Sequence, residues 1–526
     1  VADSTTTARP QDGQPVIART ISVGPPTPTW GKVIDQTRCV GCHACTTACK
    51  SENDVPLSVT RTFVKNVDVG TFPQARRAFQ VTRCNQCADA PCVAACPTGA
   101  MFARPDGIVD FGKEVCIGCK ACMAACPYDA IFINPDDHCA EKCNLCAHRL
   151  EVGLEPACVV VCPTGAIMVG DLADPNSEVA RIVNREPVTV RRPEKDTRPK
   201  LFYKGATQAT LDPLAAVSPP GDTYAWAEQP RGRGIVTAPV AAANSSAAAV
   251  ISYDVAHRVP WDWRVSLYTW TKSIAAGAYL VPLLLVLFGW LDSDHALWTW
   301  VAPLVSGGFL AATAGVLIAD LEHPERFYLI LTRPQWRSWV VRGGIILTGF
   351  TVVLGLHLLG SLTGLSGVTV AAAVLGGPLA LLTAIYTAYL FAQAKARDLW
   401  QSPLLPPHLV VQAVLAGSAV FLPVLAFADQ PVARDATGWL LAGTALVHLL
   451  FVTGEGTLPH VTAHARLAAH AMVGGRYRGF FWAGAGLVAL GLLAPWVGAW
   501  VALPALAGLF LYEHAYVQAG QSAPLA

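Results

Sequence analysis

The chain has 526 residues, of which 53% are hydrophobic and only 14% charged, too little charge for an ordinary soluble protein, where about 25% is usual. A formal net charge of +1, with no basic stripe interleaved with aromatics, gives no footing for a nucleic-acid partner. The dilution is uneven: residues 1–260 carry charge throughout, whereas 261–526 form a succession of long apolar runs.

Residues 1–30 are polar and rich in Pro and Thr, and we expect a disordered tail rather than an export signal, since no apolar core is present. All seventeen cysteines follow within the first third of the chain, and sixteen of them fall into four quartets. Cys39, Cys42, Cys45 and Cys49 are spaced C-x2-C-x2-C-x3-C. Cys84, Cys87, Cys92 and Cys96 form C-x2-C-x4-C-x3-C-P, and Cys116, Cys119, Cys122 and Cys126 form C-x2-C-x2-C-x3-C-P. Cys143, Cys146, Cys158 and Cys162 complete the series as C-x2-C-x11-C-x3-C-P.

Three thiolates in one tight loop wrap a single iron–sulfur cubane, and the fourth, usually before proline, turns away to a second one. Quartets therefore come in pairs, and four quartets imply four clusters. Zinc is the competing reading, because four-cysteine zinc sites also use C-x2-C pairs. The last quartet alone would pass for zinc, but the first and third, with three ligands in one loop, would not. Disulfides fit worse, since cysteines so close in sequence would be strained and the spacing recurs too regularly. Cys139 stands outside the quartets and reads as a spectator thiol, with an alternative cluster ligand as the other reading.

We expect an α+β ferredoxin-like domain over 31–204, an extended Pro/Gly/Ala-rich linker over 205–260, and an all-α membrane domain over 261–526. Runs long enough to cross a bilayer, about twenty residues each, fall at 266–290, 297–320, 339–361, 368–393, 408–428, 437–457, 479–497 and 498–516. The expectation is eight transmembrane helices. The side facing the cysteine domain carries Arg258, Arg264, Lys272, Arg326, Arg333, Arg337, Arg342, Lys395, Arg397, Arg466, Arg476 and Arg478, against Arg434 on the other. By the positive-inside rule the cysteine domain then lies on the cytoplasmic side of a bacterial-type inner membrane.

Ionisable residues at membrane depth are costly and serve as functional candidates. Those near the cysteine domain are Lys272, Asp320, Glu322, His323, Arg326, Arg342, Glu455, His460, His464, Glu513 and His514. His460 and His464, four apart, would share a face if helical. The bland readings are interface anchors for the arginines, a helix cap for His323 and a solvated loop for His460 and His464. Haem would need facing histidines at matched depth; His357 and His448 do not match, so no haem is expected. His448, His357, Thr453 and Tyr386 are candidate proton stations, with helix–helix hydrogen bonding as the alternative.

Residues 31–203 resemble the four-cluster ferredoxin subunits of molybdopterin enzymes such as dimethyl sulfoxide, polysulfide and thiosulfate reductases, through all four motifs. Residues 261–516 resemble the NrfD/polysulfide reductase C-type membrane subunit, through the apolar spans, "HPERFYLILTRPQWRSW" and "FFWAGAGLVALGLLAP". The resemblance implies that quartet one pairs with four and two with three. One cluster would take Cys39, Cys42, Cys45 and Cys162; another Cys143, Cys146, Cys158 and Cys49. The central two would take Cys84, Cys87, Cys92 and Cys126, and Cys116, Cys119, Cys122 and Cys96. With Cys119 present, all four would be [4Fe–4S]. The resemblance further implies electron exchange between a molybdenum or tungsten pterin subunit and menaquinone or ubiquinone. Alternatives left open are a nickel–iron hydrogenase or multihaem cytochrome partner, a redox-gated transporter or passive anchor, and a structural assembly scaffold.

Overall fold

The computed structural model describes residues 27–217 and 248–526. The expected tail up to residue 26 and the middle of the expected linker, 218–247, lie outside the described residues.

The cysteine domain closes on itself through its first and last strands. Trp30–Asp35 runs parallel to Leu201–Lys204, with Lys32 opposite Leu201, and antiparallel to Ile167–Asp171, with Val33 opposite Met168. Val33 and Ile34 are fully buried on opposite faces of this sheet, as the two-residue period of a strand requires. The pairing sets the loop before the first quartet beside the segment after the fourth. Two short hairpins, Met101–Ala103 with Val109–Phe111 and Ile131–Ile133 with Ala140–Lys142, follow the second and third quartets in the same way.

A three-stranded sheet pairs Thr62–Val69 with Arg76–Arg83 on one side and with Ala249–Tyr253 on the other. That last strand comes from the stretch expected as a linker. Its Ala249 and Ile251 pack with Val67, Val69 and Ala216, so the polypeptide re-enters the cysteine domain before the first membrane span. The alternating apolar pattern and β-branched residues of AVISY suit this role.

Among the described residues, seven segments are long and apolar enough to cross a membrane: Trp263–Leu287, Leu297–Ala319, Trp339–Thr363, Ser366–Gln393, Leu405–Ala426, Pro431–Thr457 and Arg478–Gly520. The last, at 43 residues, replaces the two separate spans expected from sequence. It is broken near Pro495–Gly498, where Gly498 has a φ of 72°. Its two limbs face each other at Gly484 and Gly508, where a Cβ on either would meet the other limb's backbone. The first and fifth spans are 67% and 61% buried and form the centre; the others are 28–39% buried and turn Leu, Val and Trp outward. First and fifth spans touch backbone to backbone, because a Cβ on Gly277 would collide with the Ala413 carbonyl and one on Gly417 with Gly277 itself.

Candidate iron–sulfur and membrane site

All seventeen cysteines are free thiols, thirteen of them buried. Left-handed residues shape the loops that carry them: Gly41 and His43 in the first quartet, Gly118 and Lys120 in the third. Glycine is needed at 118 on two counts, a φ of 67° and the Glu322 side chain lying where a Cβ would go.

Burial raises most of these thiols, and the charges acting on each identify its neighbours. Cys39 feels Cys45, Cys162 and Cys42; Cys49 feels Cys143, Cys158 and Cys146. Cys92 feels Cys126, Cys84 and Cys87; Cys119 feels Cys96 and Cys116, and Cys122 feels Cys119, Cys96 and Cys116. Thiols of the first quartet thus neighbour those of the fourth, and thiols of the second neighbour those of the third, the pairing that the resemblance implies for four sets. Cys84, Cys87, Cys92 and Cys126 line one cavity, and Cys96, Cys116, Cys119 and Cys122 line another. Four thiols around one cavity are the donor set that a [4Fe–4S] cluster takes.

The sets stand in single file. Cys45 of the outermost set feels Cys158 of the second, Cys84 of the third feels Cys143 of the second, and Cys122 of the fourth feels Cys92 of the third. Cys42 in the outermost set is exposed. At the other end Cys119 feels Asp320, at the end of the second span.

Donors surround the sulfurs. Backbone N–H groups of Met101, Ala140 and Ala166 point at Cys96, Cys116 and Cys162 at 3.4, 3.5 and 3.2 Å. Cys158 has cations: the Arg83 guanidinium at 3.0 Å and the Lys32 ammonium at 3.7 Å, both buried. Burial pushes the Cys158 thiol up, but Lys32 and Arg83 outweigh it and bring it down to about 7.

The innermost set meets the membrane domain directly. The Trp261 indole donates to the Cys119 carbonyl at 3.3 Å, and Trp261 stacks on Trp400 and packs against Phe391. Lys120 pairs with Glu322 at 3.0 Å and lies 3.7 Å from Asp320. His323 donates to the Asp137 carbonyl at 2.9 Å and lies 3.4 Å from the sulfur of Cys139, which sits at the junction. Arg326 donates to the carbonyls of Lys113 and Cys116, both at 3.0 Å. Asp320, Glu322, His323 and Arg326 are thus brought together, but against the cysteine loop.

Lys272 lies elsewhere. It is fully buried inside the first span, donates to the Ala384 carbonyl at 2.7 Å, lies 5.4 Å from the Tyr386 ring centroid, and faces the charge of Glu513. It therefore cannot count among the loop cations of the topology argument. Glu513 accepts a bond from Thr269 at 3.0 Å, and the next residue back, Tyr512, donates to Glu455 at 2.7 Å. His460 and His464 do not share a helical face: the helix there begins at Ala463, and His460 instead donates to the Glu455 carbonyl at 3.0 Å. His464 is pulled below the usual imidazole range by burial.

Sequence reasoning missed His408. It is buried in the fifth span and its Nε2 lies 2.9 Å from Nδ1 of His448 in the sixth, with Tyr512 edge-on to His448. The signal was His408 and Gln412 four residues apart on one face, facing His448. His357, near the far end, is 2.9 Å from the Tyr279 hydroxyl. Thr453 and Tyr386 join neither pair: the Thr453 hydroxyl is bonded to its own helix at Leu449.

A family model described as a 4Fe-4S dicluster domain matches residues 76–172, and one described as polysulphide reductase, NrfD, matches residues 253–521, just over half of the protein. The B component of tetrathionate reductase from Salmonella typhimurium is 42% identical over 205 residues, covering 38% of this chain and 80% of that protein. The B component of polysulfide reductase from Wolinella succinogenes is 42% identical over 176 residues, covering 33% and 92%. The iron–sulfur subunit of a Shewanella arsenate respiratory reductase is 35% identical over 221 residues, covering 33% and 94%. With single-file thiol sets ending on a bundle of apolar helices, the protein belongs to the polysulphide reductase NrfD family, joined in one polypeptide to an iron–sulfur ferredoxin domain, and serves electron transfer in an oxidoreductase complex.

Proposed function

We propose that this chain passes electrons between a separate catalytic subunit, a molybdopterin oxidoreductase, and quinone in the membrane, menaquinone or ubiquinone. The observation that carries the reading is the run of adjoining thiols, exposed at Cys42 and ending at Cys119 beside the membrane domain, which would form four sets. The residues that would hold the clusters are Cys39, Cys42, Cys45 and Cys162; Cys49, Cys143, Cys146 and Cys158; Cys84, Cys87, Cys92 and Cys126; and Cys96, Cys116, Cys119 and Cys122. Each bound [4Fe–4S] cluster supplies a one-electron relay, and quinone supplies two-electron, two-proton carriage.

The protein's own residues do the rest. Arg83, Lys32 and the backbone N–H groups stabilise negative charge on the sulfurs. Trp261, Trp400 and Phe391 exclude water between the Cys119 loop and the bundle. Behind them Lys272, Glu513 and Thr269 offer a donor, an acid and a hydroxyl at membrane depth for a quinone headgroup. Glu455, half-buried at the bundle edge and bonded to Tyr512, and the His408–His448 pair supply proton-bearing groups nearby. Asp320, Glu322, His323 and Arg326 act as the clamp that holds the innermost thiol loop on the bundle.

We read the Arg478–Gly520 hairpin as two crossings, giving eight in all, with the thiol domain on the cytoplasmic side. The reading is tested on the complex purified with its native partners. About sixteen irons per chain, four clusters of four, copurifying molybdenum or tungsten, and cluster bleaching by added quinol are expected. Zinc in place of iron, or clusters that quinol leaves oxidised while dithionite reduces them, would sink it.

A further inference from the structure

The segment between the second and third spans faces two ways. Its inner side grips the thiol domain: Arg326 bonds the Lys113 and Cys116 carbonyls, the Gln335 N–H donates to the Pro97 carbonyl at 2.9 Å, and the Ser338 hydroxyl donates to the Ala95 carbonyl at 2.8 Å. Those carbonyls belong to the loops that carry Cys96 and Cys116, two thiols of the innermost set. The outer side is open. Phe327, Tyr328, Leu331 and Trp336 are between 44% and 62% exposed. Arg333, Arg337 and Arg342 are exposed beside them.

Among the described residues no carboxylate lies within ion-pair distance of these three arginines, whereas Arg326 in the same segment has Glu325 at 3.7 Å. Arg342 is held in place, its Nε donating to the Trp336 carbonyl at 2.9 Å and its guanidinium 4.8 Å from the Trp339 ring centroid. Three uncompensated guanidinium groups within ten residues repel one another and gain from a shared anion. A guanidinium fork matches a phosphate bidentately, and exposed aromatics at a span's end lie at headgroup depth. A zwitterionic lipid brings its own cation to such a place, and an anionic one does not.

We propose that Arg333, Arg337, Arg342 and Trp336 bind the headgroup phosphate of an anionic phospholipid, and that its binding steadies the loops of Cys96 and Cys116. The mechanical link is short. Arg342 holds the carbonyl of Trp336, and the residues flanking this tryptophan, Gln335 and Ser338, bond the thiol loops. Neither the quinone nor the catalytic partner is needed for it.

The test uses the full complex in nanodiscs of phosphatidylcholine, with and without phosphatidylglycerol. Retained lipid is read by native mass spectrometry, and the clusters by electron paramagnetic resonance of the dithionite-reduced protein. Wild type is expected to prefer phosphatidylglycerol by on the order of a hundredfold, about fivefold per arginine, lessened by salt. The triple variant R333Q/R337Q/R342Q is expected to lose the preference, and R333Q alone about fivefold of it, which keeps the test open if the triple variant does not fold. The innermost cluster's signal is expected to sharpen when phosphatidylglycerol is added to wild type and to stay unchanged in the variants. Equal retention of both lipids by wild type, an undiminished preference in R333Q, or a signal indifferent to lipid overturns the proposal. Full displacement by an equal concentration of inorganic phosphate overturns the lipid assignment in favour of a simple phosphate site.

Discussion

The Arg83 guanidinium lies 3.0 Å from the Cys158 sulfur, buried on every side, with Lys32 as a second cation at 3.7 Å. Positive charge against a ligating sulfur favours the more reduced, more negative state of whatever that sulfur holds. Replacing Arg83 with Met is expected to lower the midpoint potential of the second cluster in the file by on the order of 60 mV, the one-electron equivalent of a tenfold change. A potentiometric titration followed by electron paramagnetic resonance measures it. An unchanged midpoint would show that Lys32 alone sets the field there.

Gly277 gives the first and fifth spans their closest approach, since a Cβ there would strike the Ala413 carbonyl. Gly277→Val is expected to destabilise the bundle by about 1–3 kcal/mol, the usual cost of overpacking. Gly307, where a Cβ would meet nothing, serves as the comparison. Thermal melting of both variants in detergent gives the answer, with Gly307→Ala close to wild type.

His257 ties the strand before the first span to the thiol domain, bonding Asp129 at 2.5 Å and Asp254 at 3.2 Å. Burial pulls this imidazole down, but Asp254 and Asp129 more than reverse it and hold it up to about 10. An unfolded histidine titrates near 6.5, so the protonated clamp stabilises the fold fully below about pH 6.5 and loses that contribution as pH rises towards 10. Lys65, beside Asp254 at 3.9 Å, and the Phe63 ring complete its surroundings. His257→Gln is expected to lower the melting temperature most at neutral pH and below, with the gap to wild type closing near pH 10. A gap constant with pH would mean that shape, not charge, is what His257 contributes.

Lys272 donates into the bundle with Glu513 facing it. Lys272→Met is expected to slow quinol-driven bleaching of the clusters by roughly 10²-fold, the lower end of general acid–base effects. Dithionite reduction should proceed as in wild type, because that electron donor needs no headgroup site. Stopped-flow absorbance separates the two.

Cys119 belongs to the innermost set and its carbonyl is held by Trp261. In the proposed assignment, Cys119→Ser is expected either to empty that one site, leaving about three-quarters of the iron, or to convert it to a three-iron cluster, losing about one iron in sixteen. Iron and sulfide analysis checks the loss, and the signals of the other sets should persist.

The thiol spacing was legible because three ligands of one loop are a local matter. So were most of the apolar spans, whose ends fall within a few residues of the helices observed. What sequence could not supply was anything decided by distant partners. Arg326 and His323 look alike as interface anchors or caps until their acceptors, the Cys116 and Asp137 carbonyls some two hundred residues back, are known. Cys139 belongs to no spacing motif, and its setting comes from His323 and the Lys113 carbonyl. His408 hides behind two prolines at the rim of its span, and its meaning comes from His448 on another helix. The strand Ala249–Tyr253 reads as linker because its partner, Thr62–Val69, lies far back in the sequence. The last hairpin is ambiguous for a different reason: small residues at Gly484 and Gly508 allow two short limbs to fold together as one unit.

The crossing of the thiol sets bears on biogenesis. In the proposed assignment the two inner sets draw every member from residues 84–126, so they would be complete while the polypeptide is still emerging from the ribosome. The outer two wait for Cys158 and Cys162, and the sheet that seats them needs Leu201–Lys204 to reach Trp30–Asp35. Iron loading would then run outward from the membrane-proximal end. A nascent polypeptide stalled after residue 126 should already carry half its complement of metal, and one stalled before 204 should hold its outermost site weakly.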